Sequence, residues 1–278
     1  MASLSVGPLS FPGELVLLIA TVLLASVAAR ALRQRLQADV EPQVWRVLLC
    51  ALLAARLAFV LDFASVYAEA PWQVLNVRDG GWNALAGWGA AWACTAWLAG
   101  RHRPQRRALW ATLLVATAVW WGGDALVTRL NAQGPQLPAL ALATVAGAQQ
   151  PLADFAGRPV VLNLWATWCP PCQREMPALQ RAQQQYLGVH FVFANQGEGR
   201  EKVQRFLALK GLALDNVLLD EQGQLARHFQ QRALPTTFFF DASGALVDTR
   251  TGELSDASIA QRLARWPQAS QPTQAGKP

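Results

Sequence analysis

Two cysteines separated by two prolines, in Trp168-Cys169-Pro170-Pro171-Cys172, are the residues of this chain whose types and spacing most directly permit chemistry. A C-x-x-C unit that follows a strand and opens a helix reads as a redox dithiol. Val160 to Trp165 (VVLNLW) is a short buried strand by pattern, and Pro170 to Tyr186 carries helical periodicity. A helix N-terminus offers unpaired N–H groups and a partial positive charge, which favour a thiolate at the first cysteine. Cys169 is therefore expected to be exposed and nucleophilic, and Cys172, one turn in, to be shielded and resolving. Attack by Cys169 gives a mixed disulfide, which Cys172 releases as the Cys169–Cys172 disulfide closes. Pro170 suits the first helical turn, where its missing N–H needs no partner. Two plainer readings compete. A structural zinc site normally needs four ligands, and the nearest further candidates are His190 and His228, with no second C-x-x-C, so no metal is expected. A purely structural disulfide between such close residues would close too small a loop to stabilise much.

The elements that must position this unit surround it. Val189 to Ala194 (VHFVFA) reads as a second strand, followed by an amphipathic helix around Glu201 to Lys210. Val217 to Leu219 is a brief strand and Leu225 to Phe229 a short helix. Thr236 to Phe240 (TTFFF) and Ala245 to Thr249 flank the turn Asp241 to Gly244, a hairpin signal. Ser255 to Arg265 closes with a helix that Ser255 can cap. Strands alternating with helices and ending in a hairpin specify an α/β domain with a central mixed sheet and helices on both faces. Its span is 138–267, preceded by a linker at 131–137 and followed by a Gln-, Pro- and Ser-rich tail at 268–278, expected to be disordered.

Residues 138–267 resemble the thioredoxin-fold domain of the TlpA-like and ResA-like family of membrane-tethered thiol–disulfide oxidoreductases. The run WATWCPPCQREMP at Trp165 to Pro177 is similar to that family's active-site segment, and LPTTFFFDASG at Leu234 to Gly244 to its cis-proline strand. The resemblance implies a cis peptide bond before Pro235, leaving the Leu234 backbone free to pair with an extended substrate segment beside Trp168. It also implies an active-site acid at Glu175, three residues beyond Cys172, able to exchange a proton with the resolving thiol. An exposed helix glutamate paired with Arg174 or Arg181 is the plainer alternative. Thioredoxin itself carries a buried aspartate in the preceding strand, where this chain has Asn163, so proton handling falls to Glu175 or water. Trp168 is expected to pack against the active site.

The first 130 residues obey different rules. Four apolar stretches, Leu15 to Ala29, Val47 to Tyr67, Gly80 to Gly100 and Ala108 to Gly123, approach the roughly 20 residues that a bilayer core requires. They are expected to form a bundle of four transmembrane helices over 1–130. Arg30, Arg33, Arg35 and Arg46 follow the first stretch, and Arg101, Arg103, Arg106 and Arg107 follow the third, so both loops belong in the cytoplasm. The N-terminus and everything after Leu130 then lie outside, with Trp72, Trp82, Trp120 and Trp121 at the outer aromatic belt. A cleaved signal peptide fits less well, because the start lacks a basic region. The segments ARLAFV (Ala55 to Val60), APW (Ala70 to Trp72) and RDGGW (Arg78 to Trp82) faintly resemble the prolipoprotein diacylglyceryl transferase family. That family's histidine position is here Leu85, which implies a lipid-binding or partner-docking remnant without transferase activity. Arg56 and Asp62 are costly inside a membrane helix and are expected to face the bundle interior. Arg56 either holds a lipid phosphate or partner carboxylate, or pairs internally. Cys50 and Cys94 read as small hydrophobes, with an electron relay as the alternative.

Composition agrees with this division. Hydrophobic residues make up 53% and charged residues 15%, against roughly 25% charged in soluble proteins. That excludes a disordered chain, and the net charge of +6 is carried by arginines between apolar stretches, where it sets topology; no nucleic-acid partner is expected. The whole reads as a multi-pass protein of the bacterial inner membrane with its dithiol domain in the periplasm. It is expected to reduce disulfides of exported cysteine-containing proteins without a cofactor, and to be recharged by a membrane electron donor of the transmembrane disulfide-reductase type. A disulfide oxidase or isomerase on the same scaffold, or a membrane lipid- or apoprotein-docking module, are the alternatives.

Overall fold

A computed structural model describes residues 3–6, 9–36, 39–69, 71–76, 79–131, 135–264 and 266. The chain divides into two compact units, one of residues 14–77 and 81–128, the other of residues 1–13, 78–80 and 129–278. The tail expected at 268–278 lies outside the described residues.

A short antiparallel hairpin, β1 (Ser3–Val6) and β2 (Leu9–Pro12), opens the chain. The first unit is helical: α1 (Gly13–Leu36), α2 (Glu41–Asp62), α3 (Ala64–Glu69), α4 (Ala84–Arg101) and α5 (Arg106–Asn131). The apolar stretch from Val47 to Tyr67 is not one helix, because α2 stops at Asp62 and Phe63 breaks the run before α3. Among the described residues, three segments are long and apolar enough to cross a membrane: Leu15–Gln34, Glu41–Asp62 and Arg103–Val127. Helix α4 is not among them; it is 18 residues long and spends positions on Trp88, Trp92, Trp97 and three glycines. Its length of about 27 Å is close to the ~30 Å hydrocarbon core.

Arg56 and Asp62 both have partners within this unit. Arg56 donates to the Val74 carbonyl at 2.9 Å, to Gly81 at 2.8 Å and to Asn76 at 3.1 Å, and lies against the Phe59 and Tyr67 rings. Internal pairing, one of the two roles open to Arg56, is present in this fold. Asp62 does not face an interior. It is exposed at the end of α2 and accepts from the Asn83 amide at 2.8 Å.

The second unit carries a seven-stranded sheet in the order β4-β3-β7-β6-β5-β8-β9. Its elements in chain order are β3 (Ala141–Thr144), β4 (Gln149–Pro151), β5 (Val160–Trp165), α6 (Pro170–Gln185), β6 (His190–Gln196), α7 (Arg200–Lys210), β7 (Val217–Asp220), α8 (Gln224–His228), β8 (Thr236–Phe240), β9 (Leu246–Thr251) and α9 (Asp256–Leu263). β5 pairs parallel with β6 and antiparallel with β8, so the sheet is mixed. Side chains alternate along a strand, and the alternation sorts the core into two layers. Val161 and Trp165 of β5 join Met176, Leu179, Ile259 and Leu263 of α6 and α9. Val160, Leu162 and Leu164 join Leu152, Phe155 and Leu225 on the opposite face. Full burial of each such Leu or Val contributes about 1.5–3 kcal/mol. Ser255 caps α9 in a reciprocal capping box with Ser258. Ahead of the sheet, Gln136 bridges Ala245 and the Leu137 N–H donates to the Gly244 carbonyl at 2.8 Å, so the last residues of the expected linker are tied to the hairpin.

Candidate active site

The alternation that builds the core also aims the polar side chains. Asn163 lies between Val161 and Trp165 in β5, and therefore points to the α6 face. Thr237 lies directly opposite Asn163 in the register of β8 and shares that face. On α6, Cys172, Glu175, Met176, Leu179 and Ala182 recur at helical spacing and form the buried stripe. Glu175 is thus carried into the sheet-facing side by the register of its own helix.

Cys169 is the N-cap of α6 and Pro170 its first residue. The two sulfurs are joined in a disulfide with Cα atoms 5.3 Å apart, and the Cys172 N–H donates to Cys169 Sγ at 3.3 Å. The expected exposure of Cys169 is not met: it is 3% exposed, against 0% for Cys172. As N-cap it folds its sulfur over the first turn, where the disulfide holds it. Trp168 departs from expectation in the other direction. It is 63% exposed, with its ring open to solvent rather than packed against the site.

Glu175 is fully buried. Its Oε1 accepts from Asn163 Nδ2 at 2.8 Å and its Oε2 from the Leu254 N–H at 3.0 Å, while Asn163 also donates to Thr237 Oγ1 at 2.9 Å. Burial pushes its carboxyl up to about 8, against the opposing pull of these two hydrogen bonds. At neutral pH the group carries its proton. The arginines proposed as surface partners are taken elsewhere, Arg174 by Glu253 at 2.8 Å and Arg181 by Asp256 at 2.7 Å.

Leu234 and Pro235 are joined by a cis peptide bond. They precede β8, whose antiparallel register puts Thr236 opposite Leu164, so the start of β8 lies at the same sheet edge as the loop leading from β5 to the cysteines. Pro235 offers its carbonyl to the Gly252 N–H at 2.9 Å. Leu234 is half-buried against both core layers.

A second carboxylate supports the loop, and sequence reasoning missed it. Glu198, just past β6, accepts from the Thr167 N–H at 2.7 Å and the Thr167 hydroxyl at 2.6 Å. It also accepts from Asn195 Nδ2 at 2.9 Å and from the Lys202 ammonium at 2.7 Å. Burial would raise its carboxyl, but Lys202, Thr167 and Asn195 outweigh burial and hold it below its ordinary value. Gln173 Nε2 closes the arrangement on the Thr167 carbonyl at 2.8 Å. The signal available in sequence was Lys202 four residues after Glu198, a helix-type ion pair. No cluster of metal-ligating side chains occurs among the described residues.

A family model described as Redoxin matches residues 132–263. The chain is 32% identical over 137 residues to the Thioredoxin-like protein YneN of Bacillus subtilis (strain 168), covering 47% of this chain and 78% of that protein. It is 34% identical over 134 residues to the Thiol-disulfide oxidoreductase ResA of Geobacillus thermodenitrificans (strain NG80-2), covering 48% and 76% respectively. A solved thiol:disulfide interchange protein of the thioredoxin family from Chlorobium tepidum TLS superposes with a TM-score of 0.43 at 27% identity, over 47% of this chain and 94% of that one. The matched segment contains the whole of the dithiol, carboxyl and cis-proline arrangement, and relatives of this identity are covered over most of their length. On that ground the chain belongs to the TlpA/ResA-like family of thioredoxin-fold thiol–disulfide oxidoreductases.

Proposed function

We propose that this enzyme is a membrane-anchored reductase of exported proteins, built as a membrane domain (1–130), a linker (131–137) and an extracytoplasmic thioredoxin-like domain (138–267). The reading is carried by one observation: a buried carboxyl holding its proton, three residues past the resolving cysteine of a closed disulfide. In the reducing direction the Cys169 thiolate attacks a substrate disulfide, and one substrate sulfur leaves as a thiolate that takes up a proton. With Glu175 ionised in the reduced state, Cys172 passes its proton to that carboxylate and attacks Cys169 Sγ, and the second substrate sulfur leaves as a thiolate that takes its proton from water. The end state is a disulfide beside a neutral acid, which is the pairing found here. Reduction by a dithiol of a membrane donor reverses the sequence, with Glu175 returning its proton to Cys172. Exposed Trp168 and the Leu234–Pro235 segment offer the docking surface for an extended substrate strand.

Acid-quenched cells should contain the Cys169–Cys172 pair mainly as dithiol, and a Cys172→Ser strain should accumulate mixed disulfides with exported proteins. A pair found mainly oxidised at steady state would favour the oxidase reading instead. Four crossings, with α4 as the third, bring the second unit back to the side of the N-terminus; three would leave the two on opposite sides. The Arg-rich segments at 30–46 and 101–107 support cytoplasmic placement of those loops. A reporter active only in the periplasm, fused after Leu130, should be active; activity from a cytoplasm-only reporter at that site would overturn the topology.

A further inference from the structure

Glu175 must be ionised in the reduced enzyme before it can take a proton from Cys172, and burial opposes that ionisation. The charged groups around it pull in opposite directions: Glu253, ahead of α9, raises its carboxyl and Arg250 of β9 lowers it. Cys172, on the same buried face of α6, carries no charge while it is closed in the disulfide. Hydrogen bonds supply the remaining support for an anion. Oε2 accepts from the Leu254 N–H at 3.0 Å and Oε1 from Asn163 Nδ2 at 2.8 Å. The first donor belongs to the backbone. The second depends on one side chain and on the way its amide is turned.

Asn163 is 1% exposed, and its Nδ2 donates twice, to Glu175 and to Thr237 Oγ1 at 2.9 Å. Its Oδ1, equally buried, accepts from no donor among the described residues. A half-turn of the amide would exchange its two ends and suit a carboxyl that never ionises, whose O–H could donate to Oδ1. The observed turn leaves a buried carbonyl oxygen unpaired, which is unfavourable, and aims an N–H at Glu175, which is what an anion needs. Thr237, directly opposite Asn163 in the β5–β8 register, takes the other amide hydrogen. An ionised aspartate at 163 would have no N–H to give, and two adjoining carboxyls would share one proton. We propose that Asn163 is a positioning residue for the proton step, its amide held by Thr237 so that Nδ2 supports the Glu175 carboxylate while Cys172 hands over its proton. In that step the Cys172 S–H bond breaks and a Glu175 O–H bond forms, and Asn163 keeps both of its amide hydrogens. This role rests on the reading of Glu175 as the base for Cys172.

The test follows the infrared C=O band of the protonated carboxyl against pH in the full chain in detergent. The protein is kept oxidised so that Cys169 and Cys172 do not titrate, and the band is assigned to Glu175 by its absence from Glu175→Gln. Asn163→Leu, of similar size but without a donor, should move the titration upward by about 1–2 pH units. Thr237→Val, which leaves Asn163 in place without the acceptor for its second hydrogen, should move it the same way by less. In stopped flow at neutral pH, Asn163→Leu should slow release of the mixed disulfide by about tenfold or more. Capture by Cys169 should hardly change, and the loss should shrink as pH rises. An unmoved titration, with release slowed equally at every pH, would make Asn163 a packing residue and overturn the proposal. If Asn163→Leu does not fold, Thr237→Val decides, and an unmoved titration there overturns it. Normal release in Glu175→Gln would overturn the reading of Glu175 and this role with it. Slow release in Glu175→Gln beside an unmoved titration in Asn163→Leu would overturn this role alone.

Discussion

Two buried carboxyls stand near the dithiol loop, and their surroundings drive them to opposite protonation states. Glu175, between α6 and the sheet, receives two N–H donors and no cation within bonding distance, and burial leaves it neutral. Glu198, past the end of β6, is less deeply desolvated and receives four donors, one of them an ammonium, and stays ionised. Depth of burial and the number and charge of the donors decide the charge together. Neutral Glu175 can store and return a proton, whereas ionised Glu198 can only hold the backbone of Thr167, two residues before Cys169. On the function proposed above, one carboxyl serves for proton transfer and the other for position.

The most severe way to break the comparison is to remove the sulfur that both carboxyls serve. Cys169→Ser should abolish reduction of a model disulfide, leaving both carboxyls with nothing to act on; residual turnover above the uncatalysed rate would displace Cys169 as the attacking group. Next in size is Glu175→Gln, which keeps the shape and the acceptor for Leu254 while deleting the proton store. Release of the mixed disulfide in stopped flow should slow by about 10²-fold. Capture by Cys169 should change far less, because the α6 N-terminus supplies its stabilisation. Unchanged release would leave the proton to water.

Glu175 also imprints a pH dependence on stability. Its folded-state value, about 8, lies above the ordinary 4.5. Between those limits the unfolded chain releases the proton while the folded chain keeps it. The oxidised protein should therefore lose stability as pH rises through this window, by at most about 1.4 kcal/mol per unit. Denaturant midpoints measured from pH 5 to 8 should flatten in Glu175→Gln. An equal slope in the variant would assign the dependence to other groups.

Legibility in the sequence followed burial pattern. β5 and β8 were readable to the residue because each is an apolar or β-branched run, interrupted only by Asn163, that is buried on both faces, and Ser255 was readable as a cap because its role is local. The β3–β4 hairpin escaped because Ala141 to Thr144 and Gln149 to Pro151 are short and hold a single β-branched residue, Thr144. Glu175 was placed by resemblance, but its burial was also latent in the spacing of Cys172, Met176 and Leu179. Glu198 sits in Asn195-Gln-Gly-Glu-Gly199 at the end of β6; Asn195 and Lys202 are local partners, but Thr167 comes from the β5–α6 loop, and no periodicity announces that contact. In the membrane unit, the apolar runs located the helices, but not which faces meet.

The smallest effects belong to Glu198 and its ammonium, and they sharpen the positional half of the comparison. Glu198→Ala would leave the Thr167 N–H, the Thr167 hydroxyl and the Asn195 amide without their acceptor, at a cost of about 1–3 kcal/mol for each buried group left unpaired. Glu198→Gln should cost less. Its single carbonyl oxygen can take the place of Oε2, accepting from the Thr167 N–H and Asn195, while its amide donates to the Thr167 hydroxyl, which can turn to accept. Lys202 then loses its partner, but its side chain is 60% exposed and can return to water. Lys202→Met, which removes that cation and leaves the other three donors in place, should cost under about 1 kcal/mol. The expected order of lost stability is therefore Glu198→Ala, then Glu198→Gln, then Lys202→Met, by denaturant unfolding of the full chain in detergent. Reduction rates should fall in the same order, because a loosened Thr167 displaces the loop that carries Cys169. A Lys202→Met variant as damaged as Glu198→Ala would mean that the ion pair, rather than the hydrogen bonds to Thr167 and Asn195, holds the loop.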